Sequence, residues 1–414
     1  MKTAGIVAEY NPFHNGHAYQ IAQTRQAGCT HVVAVMGGYF TQRGEGALMG
    51  PAARCEAALR GGADLVLELP LPWAAASAET FARGAVSLLD ALGCVDVLSF
   101  GSESGDIRTL TAAAEELARL DGSARLHRAL QAGVSFPRAR EEALAGRLDD
   151  PELLRRPNDI LALEYLGALR RLSSPMRPMA VRRVGAGHDS CRTASGFASA
   201  SRIRTLLTGG AFDGAARFLP AGSLAVCRRE WAAGRAPFLP AAAEPLVLAQ
   251  LRRMGPEDFA RLPDVSEGLE NRLFRAVQSA VALPELYAAV KTKRYTLSRV
   301  RRVVLAAFLG LPGGLTAQRP PYLRVLGLNP RGAEILRAAR PALPLISRHA
   351  DTAGLDDRGR TVDALECRAA DLYGLCLPRR QPCGARQRMS PLFVPGELAG
   401  NIENAGRIGY NKDN

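Results

Sequence analysis

The 414 residues are 47% apolar, and no stretch approaches eighteen apolar residues without a charge or a break, which excludes a disordered chain and a membrane-spanning one. The first residues, MKTAGIVAEYNPFH, lack the apolar core of a signal peptide, and a cytoplasmic protein with no membrane partner is expected. The formal charge of +13 is unevenly placed: residues 1–200 hold 21 Lys+Arg and 21 Asp+Glu, whereas residues 201–414 hold 32 and 19.

The first elements alternate at short spacing. Residues 3–8 (TAGIVA) predict a buried strand that runs into the polar loop EYNPFHNGH, and residues 18–27 predict a helix stopped by Gly28. Strands are predicted at 31–38, 63–70 and 95–103, with helices at 51–61 and 77–92 between them. Continuously apolar strands alternating with helices describe an α/β fold, a parallel sheet covered on both faces. Ligands of such sheets sit beyond the carboxyl ends of the strands. Residues 107–130 and 139–149 read as helical, 157–172 as an amphipathic helix, 179–187 as a strand with a glycine turn, and 198–210 as a helix. The stretch FLPAGS (218–223) suits a boundary, and 241–308 carries a mostly helical pattern. Two units are expected: a catalytic domain over 1–210 and a mostly helical, basic region over 211–414. A neutral half followed by a basic one fits a catalytic domain joined to a polyanion-binding one.

The sharpest chemical signal is Asn11-Pro12-Phe13-His14-Asn15-Gly16-His17, directly after the first strand and before a helix. Two imidazoles three residues apart can face one ligand there, and a helix N-terminus favours phosphate. They can donate to an α-phosphate while pyrophosphate leaves. Gly16 lets a nucleotide lie against the backbone. A Walker A motif and a dinucleotide GxGxxG are both absent. Of the eight cysteines only 367, 376 and 383 cluster, without a CxxC pair or a histidine nearby in the chain, and no metal ligands are assigned.

An HxGH after a first strand resembles the phosphate-binding signature of the nucleotidyltransferase and class I aminoacyl-tRNA synthetase superfamily. The resemblance extends through GIVAEYNPFHNGH, MGGYFTQRGE (36–45), GADLVLELP (62–70), SAETFARGAVSLLDALG (77–93), FGSE (100–103), PNDILALEYL (157–166), VRRVGAGHDS (181–190) and SASRIR (199–204). Together these look like the tRNA(Met) cytidine acetate ligase family, and KRYTLSRVRR (293–302) and YLRVLGLNPRG (322–332) carry the likeness onward. It implies a Rossmann-like nucleotidyltransferase domain that activates acetate with ATP, with Mg2+ expected. The acetyl group would then pass through acetyl-adenylate to N4 of the wobble cytidine of elongator tRNA(Met).

Carried over, the resemblance places ATP on Val7, Ala8, Glu9, Tyr10, Asn11, Pro12, Phe13, His14, Asn15, Gly16, His17, Ala18, Tyr19 and Gln20. Gly101, Asn158 and Arg183 would complete the pocket, and Ser199 and Ser201 would meet the leaving pyrophosphate. His14, His17 and Arg204 would stabilise the charge that develops. Strand alternation puts Arg182 and Arg183 on opposite faces, and the resemblance favours Arg183. Gln42 and Arg43 are further candidates for the pocket, and Glu103 and Asp106 for Mg2+ or ribose. Glu68, inside an apolar strand, reads as a structural carboxylate. KTKRYTLSRVRR (291–302), with its tyrosine, and Arg319, Arg324 and Arg331 are candidates to meet tRNA phosphates and a base. A small-molecule nucleotidyltransferase and a non-catalytic, nucleotide-regulated RNA-binding protein are the alternatives. The polar tail IENAGRIGYNKDN (402–414) offers no motif.

Overall fold

The computed structural model describes residues 1–184 and 196–395. The glycine turn expected at 185–187, Cys191 and the polar tail lie outside the described residues.

Five strands run parallel: β1 (Thr3–Ala8), β2 (His31–Gly37), β3 (Leu65–Leu69), β4 (Val97–Ser102) and β5 (Arg177–Arg182), in the spatial order β5-β4-β1-β2-β3. Every residue of β2 and β3 is buried, which is what a sheet covered on both faces requires. In β2, Val33 and Val35 join one core with Leu65, Leu67, Leu88 and Leu89, while Val32, Ala34 and Met36 join another with Ile21, Ala57 and Ala58. Period-two alternation thus feeds two layers of helices. The helices Ala78–Ala91 and Pro157–Arg171 cover the first face; Asn15–Gln26 and Pro51–Arg60 cover the second.

The chain steps from β1 to β2 and β3 on one side and then returns to place β4 and β5 on the other. This reversal makes β1 and β4 neighbours, and in such sheets the ligand crevice lies beyond the carboxyl ends of the two strands at the reversal. The HxGH loop follows β1 and FGSE spans the end of β4, so both signals fall at that switch point.

Beyond residue 210 a mostly helical region was expected, with no strand assigned, and three short strands there extend the sheet. β6 (Leu323–Leu328) pairs antiparallel with β3, and β7 (Leu345–Ile346) and β8 (Leu392–Phe393) each pair parallel with β6. A six-residue, mostly apolar segment interrupted by Arg324 cannot be told from a buried helical turn by periodicity alone. The helices Pro240–Arg252, Leu269–Ser279, Leu283–Val290 and Leu297–Leu309 form their own core, which takes in Tyr39 and Phe40 from the loop after β2. No helix of the described residues is long and apolar enough to cross a membrane.

Glu68 of β3 is structural. It is fully buried and receives Arg386 Nη1 at 2.9 and 2.7 Å on its two oxygens. Arg324 of β6 approaches it to 3.8 Å, and Asp363 accepts from both arginines at 3.4 Å. Glu366 accepts from the Leu71 N–H, and burial, then the nearby Glu68, pushes its carboxyl up to about 8. Arg324 was expected on a basic surface. It is 1% exposed instead, because β6 is buried on both faces between β3 and its other neighbours.

Candidate active site

The two histidines of the HxGH loop are organised by the start of a helix. His14 is the N-cap of Asn15–Gln26, and its Nδ1 accepts the Gly16 N–H at 3.0 Å. The Nδ1 of His17 in turn accepts the N–H of His14 at 3.2 Å. This reciprocal arrangement is a capping box built from imidazoles, and it accounts for the three-residue spacing. With both Nδ1 atoms accepting, each neutral ring carries its proton on Nε2, a donor with no partner among the described residues. The rings stack with centroids 3.7 Å apart, a geometry that two cations would resist. Burial first, then Arg183 and Arg204, lowers His14 to about 3; burial and then His14 hold His17 well below its ordinary value.

Beneath them Tyr10 and Phe13 are buried, each with its ring against His17 at 4.9 and 5.5 Å. Tyr10 sits at φ 48°, a left-handed conformation uncommon for a side chain of its size, and it turns the chain from β1 into the loop. Gly16 proves to have an internal reason as well: a Cβ there would stand 2.9 Å from His14 Cε1. Asn11 Oδ1 accepts the Leu48 N–H, and Asn15 Nδ2 donates to the carbonyls of Gly196 and Arg217. Gln20 donates to the Ser99 carbonyl, and Tyr19 meets Phe197 edge-on. Tyr10, Phe13, Asn11 and Asn15 thus hold the loop's shape, while Val7, Ala8, Glu9, Gly16 and His17 are only partly buried.

Other candidates converge from separate elements. Arg183, which follows β5, approaches Asn158 Oδ1 to 3.5 Å, and its side chain runs beside Gly101. Its neighbour Arg182 packs instead over Gly105. Asn158 is fixed from behind by Glu103, which accepts from its Nδ2 at 2.6 Å and from the Asp159 N–H at 2.9 Å. Glu103 therefore caps the helix Pro157–Arg171, and Asp106 caps Ile107–Leu120, so both carboxylates already have partners. Ser199 is the N-cap of Ala200–Thr208, and its Oγ lies 3.1 Å from Ser201 Oγ. From the same helix Arg204 donates to the Asn11 carbonyl at 3.0 Å, which brings the second basic motif against the HxGH loop.

Sequence reasoning missed Arg54. It is fully buried, and its guanidinium donates to the carbonyls of Glu9 (2.6 Å), Met49 (3.0 Å), Gly37 (3.0 Å) and Gly38. It ties the carboxyl ends of β1 and β2 together where the cleft opens. One arginine in a helical pattern carries no such signal in a single sequence. Glu9 also accepts the Gln42 N–H at 2.8 Å, which draws the loop after β2 over the same strand end. The basic run near residue 300 lies at the surface, but several of its side chains are engaged by neighbours. Tyr295 is buried and donates to the Glu267 carbonyl, so it is a packing residue and offers no free face to a base. Arg301 pairs with Glu45 at 2.7 Å and Arg302 with Asp264 at 3.5 Å, whereas Lys291 and Lys293 are exposed, as are Arg319 and Arg331.

Comparison with known proteins matches residues 1–388 to the family described as HIGH Nucleotidyl Transferase. The tRNA(Met) cytidine acetate ligase of Acetivibrio thermocellus is 38% identical over 395 residues, covering 91% of this chain and 95% of that protein. The one of Syntrophomonas wolfei is 36% identical, covering 96% and 100%. The crystal structure of Thermotoga maritima TmcAL bound with alpha-thio ATP is similar, with a TM-score of 0.87 at 32% identity, covering 95% of this chain and all of that one. The apo form of that protein gives 0.89 at 33%.

Proposed function

The chain belongs to the tRNA(Met) cytidine acetate ligase family, and from that premise we propose that it activates acetate with ATP and acetylates N4 of the wobble cytidine of elongator tRNA(Met). The observation that carries this reading is the stacked, neutral His14–His17 pair, with its Nε2 donors at the β1/β4 crevice and Arg183 and Arg204 beside it. An acetate oxygen attacks the α-phosphorus and the bond to pyrophosphate breaks. Carboxylate is already anionic, so the step needs charge stabilisation and no base. The imidazole N–H groups meet the α-phosphate, while Arg204 and the Ser199–Ser201 helix start receive pyrophosphate. N4 of cytidine then attacks the acetyl carbonyl, AMP leaves with the bonding electrons, and the amine proton passes to solvent. Mg2+ would supply further charge neutralisation for the phosphates, and Glu103 and Asp106, which serve as helix caps, are not assigned to hold it.

Residues 1–210 hold the chemistry in this account, and residues 211–414 grip the tRNA, with Lys291, Lys293, Arg319 and Arg331 available at the surface. A single-stranded anticodon loop lets the cytidine leave its stack at low cost.

Gly101 offers a separable prediction. A Cβ at this position would meet Arg183 Cγ at 3.6 Å, an ordinary contact. Gly101→Ala should therefore melt like the wild type yet bind ATP at least about tenfold more weakly, since the added methyl occupies nucleotide space. Isothermal titration with ATP beside a thermal melt checks both halves.

The reaction class is tested by exchange of labelled pyrophosphate into ATP. Exchange that requires acetate supports the ligase reading. Catalysis of nucleotidyl transfer to another small acceptor, with acetate inert, would replace it with a small-molecule transferase. No exchange and no transfer, with ATP bound, would leave a non-catalytic RNA-binding protein.

A further inference from the structure

We propose that His349, Asp363 and Cys367 form a binding site for one Zn2+ ion, away from the HxGH cleft. The three side chains line a cavity of about 580 Å³ between the segment after β7 and the helix Asp357–Leu375. One ligand atom from each lies within 4.8 Å of the others. Asp363 and Cys367 are one turn apart on that helix and so share a face. The separations match a coordination shell. His349 Nδ1 lies 3.1 Å and Cys367 Sγ 3.7 Å from Asp363 Oδ2. Tetrahedral Zn2+ with ordinary bond lengths sets its nitrogen and oxygen ligands about 3.3 Å apart and its sulfur and oxygen ligands about 3.5 Å apart.

Two further observations favour an ion over a hydrogen-bonded trio. His349 Nδ1 is buried and, despite its 3.1 Å approach to the carboxylate, makes no hydrogen bond among the described residues, so it is a buried polar atom in need of a partner. Gln387 Oε1, also buried and without a hydrogen-bond partner among the described residues, belongs to a lining residue of the same cavity and suits a water in the fourth position. The other oxygen of Asp363 accepts from Arg324 and Arg386 at 3.4 Å, which fixes the carboxylate's orientation as outer partners of metal sites do. Sulfur, imidazole and a single carboxylate select Zn2+ over Mg2+ or Ca2+. A thiolate and a carboxylate would also balance its charge. No metal was expected from the sequence because no histidine lies near these cysteines in the chain; the fold supplies His349 from the segment that follows β7. The ion would clamp that segment to the helix whose Asp363 and Glu366 face Arg386, at the buried end of β3.

The test uses the full-length protein stripped with a chelator and titrated with Zn2+ against a chromogenic competitor. One equivalent should bind. His349→Ala and Cys367→Ser should each weaken binding at least about tenfold, since even second-shell changes cost that much, while Cys383→Ser leaves it unchanged. Wild-type protein loaded with Co2+ should show thiolate-to-cobalt charge transfer and intense tetrahedral bands, a reading that does not depend on any variant folding. Failure of the folded wild type to hold Zn2+, absence of those bands, or unaltered binding in both ligand variants overturns the proposal.

Discussion

Acetylation by a His17→Ala protein will fall about 100- to 1,000-fold in kcat, the cost of one preorganised donor at a developing charge. The fold should survive, because His17 is only partly buried and its removal frees a single backbone N–H, that of His14. His17→Gln, which keeps a neutral N–H donor, should recover part of the loss; a lysine should not, because the site holds its imidazoles uncharged. With His14 lowered to about 3 and His17 well below its usual value, neither ring should produce an ionisation limb in the rate profile of the free enzyme from roughly pH 6 to 8. The same depression has a consequence for stability. In the unfolded chain these histidines titrate near 6.5, so below that pH the unfolded state binds more protons than the folded one. Their contribution is complete above about pH 6.5 and is lost as pH falls towards the folded values. Urea midpoints measured at pH 7 and pH 5 should therefore drop less in His17→Gln than in the wild type.

Arg386→Ala should destabilise the protein by about 3–5 kcal/mol, the cost of leaving a buried charge without its partner. Glu68 is 0% exposed and takes both of its close ion-pair hydrogen bonds from Arg386, with Arg324 no nearer than 3.8 Å. Glu366, already pushed up to about 8 beside Glu68, offers no compensating positive charge. Urea denaturation measures the loss directly. The double variant Glu68→Gln/Arg386→Met removes both charges and should be distinctly more stable than Arg386→Ala, since the pair is costly chiefly when broken. Equal destabilisation in the two would show that Arg386 acts by packing alone.

The N-terminal sheet could be read from sequence because β1 to β4 are apolar runs separated by helices with glycine, proline or serine at their ends, and period and punctuation agree. The HxGH loop stood out as well, since two histidines three apart sit directly between a predicted strand and a predicted helix. What the residues could not convey was the tautomer logic: both Nδ1 atoms are consumed by the capping box, which only the backbone geometry reveals. β6 was missed because its six residues carry no periodic signature and its partner, β3, lies some 260 positions away in the chain. Arg324 and Tyr295 were misplaced for one reason. Charge and aromaticity say what a side chain is able to do, and only packing says whether it faces water. Arg54 and the His349–Asp363–Cys367 group depend on contacts between distant segments, which a single chain does not advertise.

The measurement that bears most directly on the account is made with isotope-labelled acetate, ATP and an unmodified elongator tRNA(Met), followed by nucleoside mass spectrometry. A parallel reaction uses the same tRNA with uridine at the wobble position. Labelled N4-acetylcytidine from the first tRNA, none from the second, and little from His17→Ala is the predicted result. Absence of the labelled nucleoside from protein that binds ATP, or its undiminished formation by His17→Ala, would contradict it.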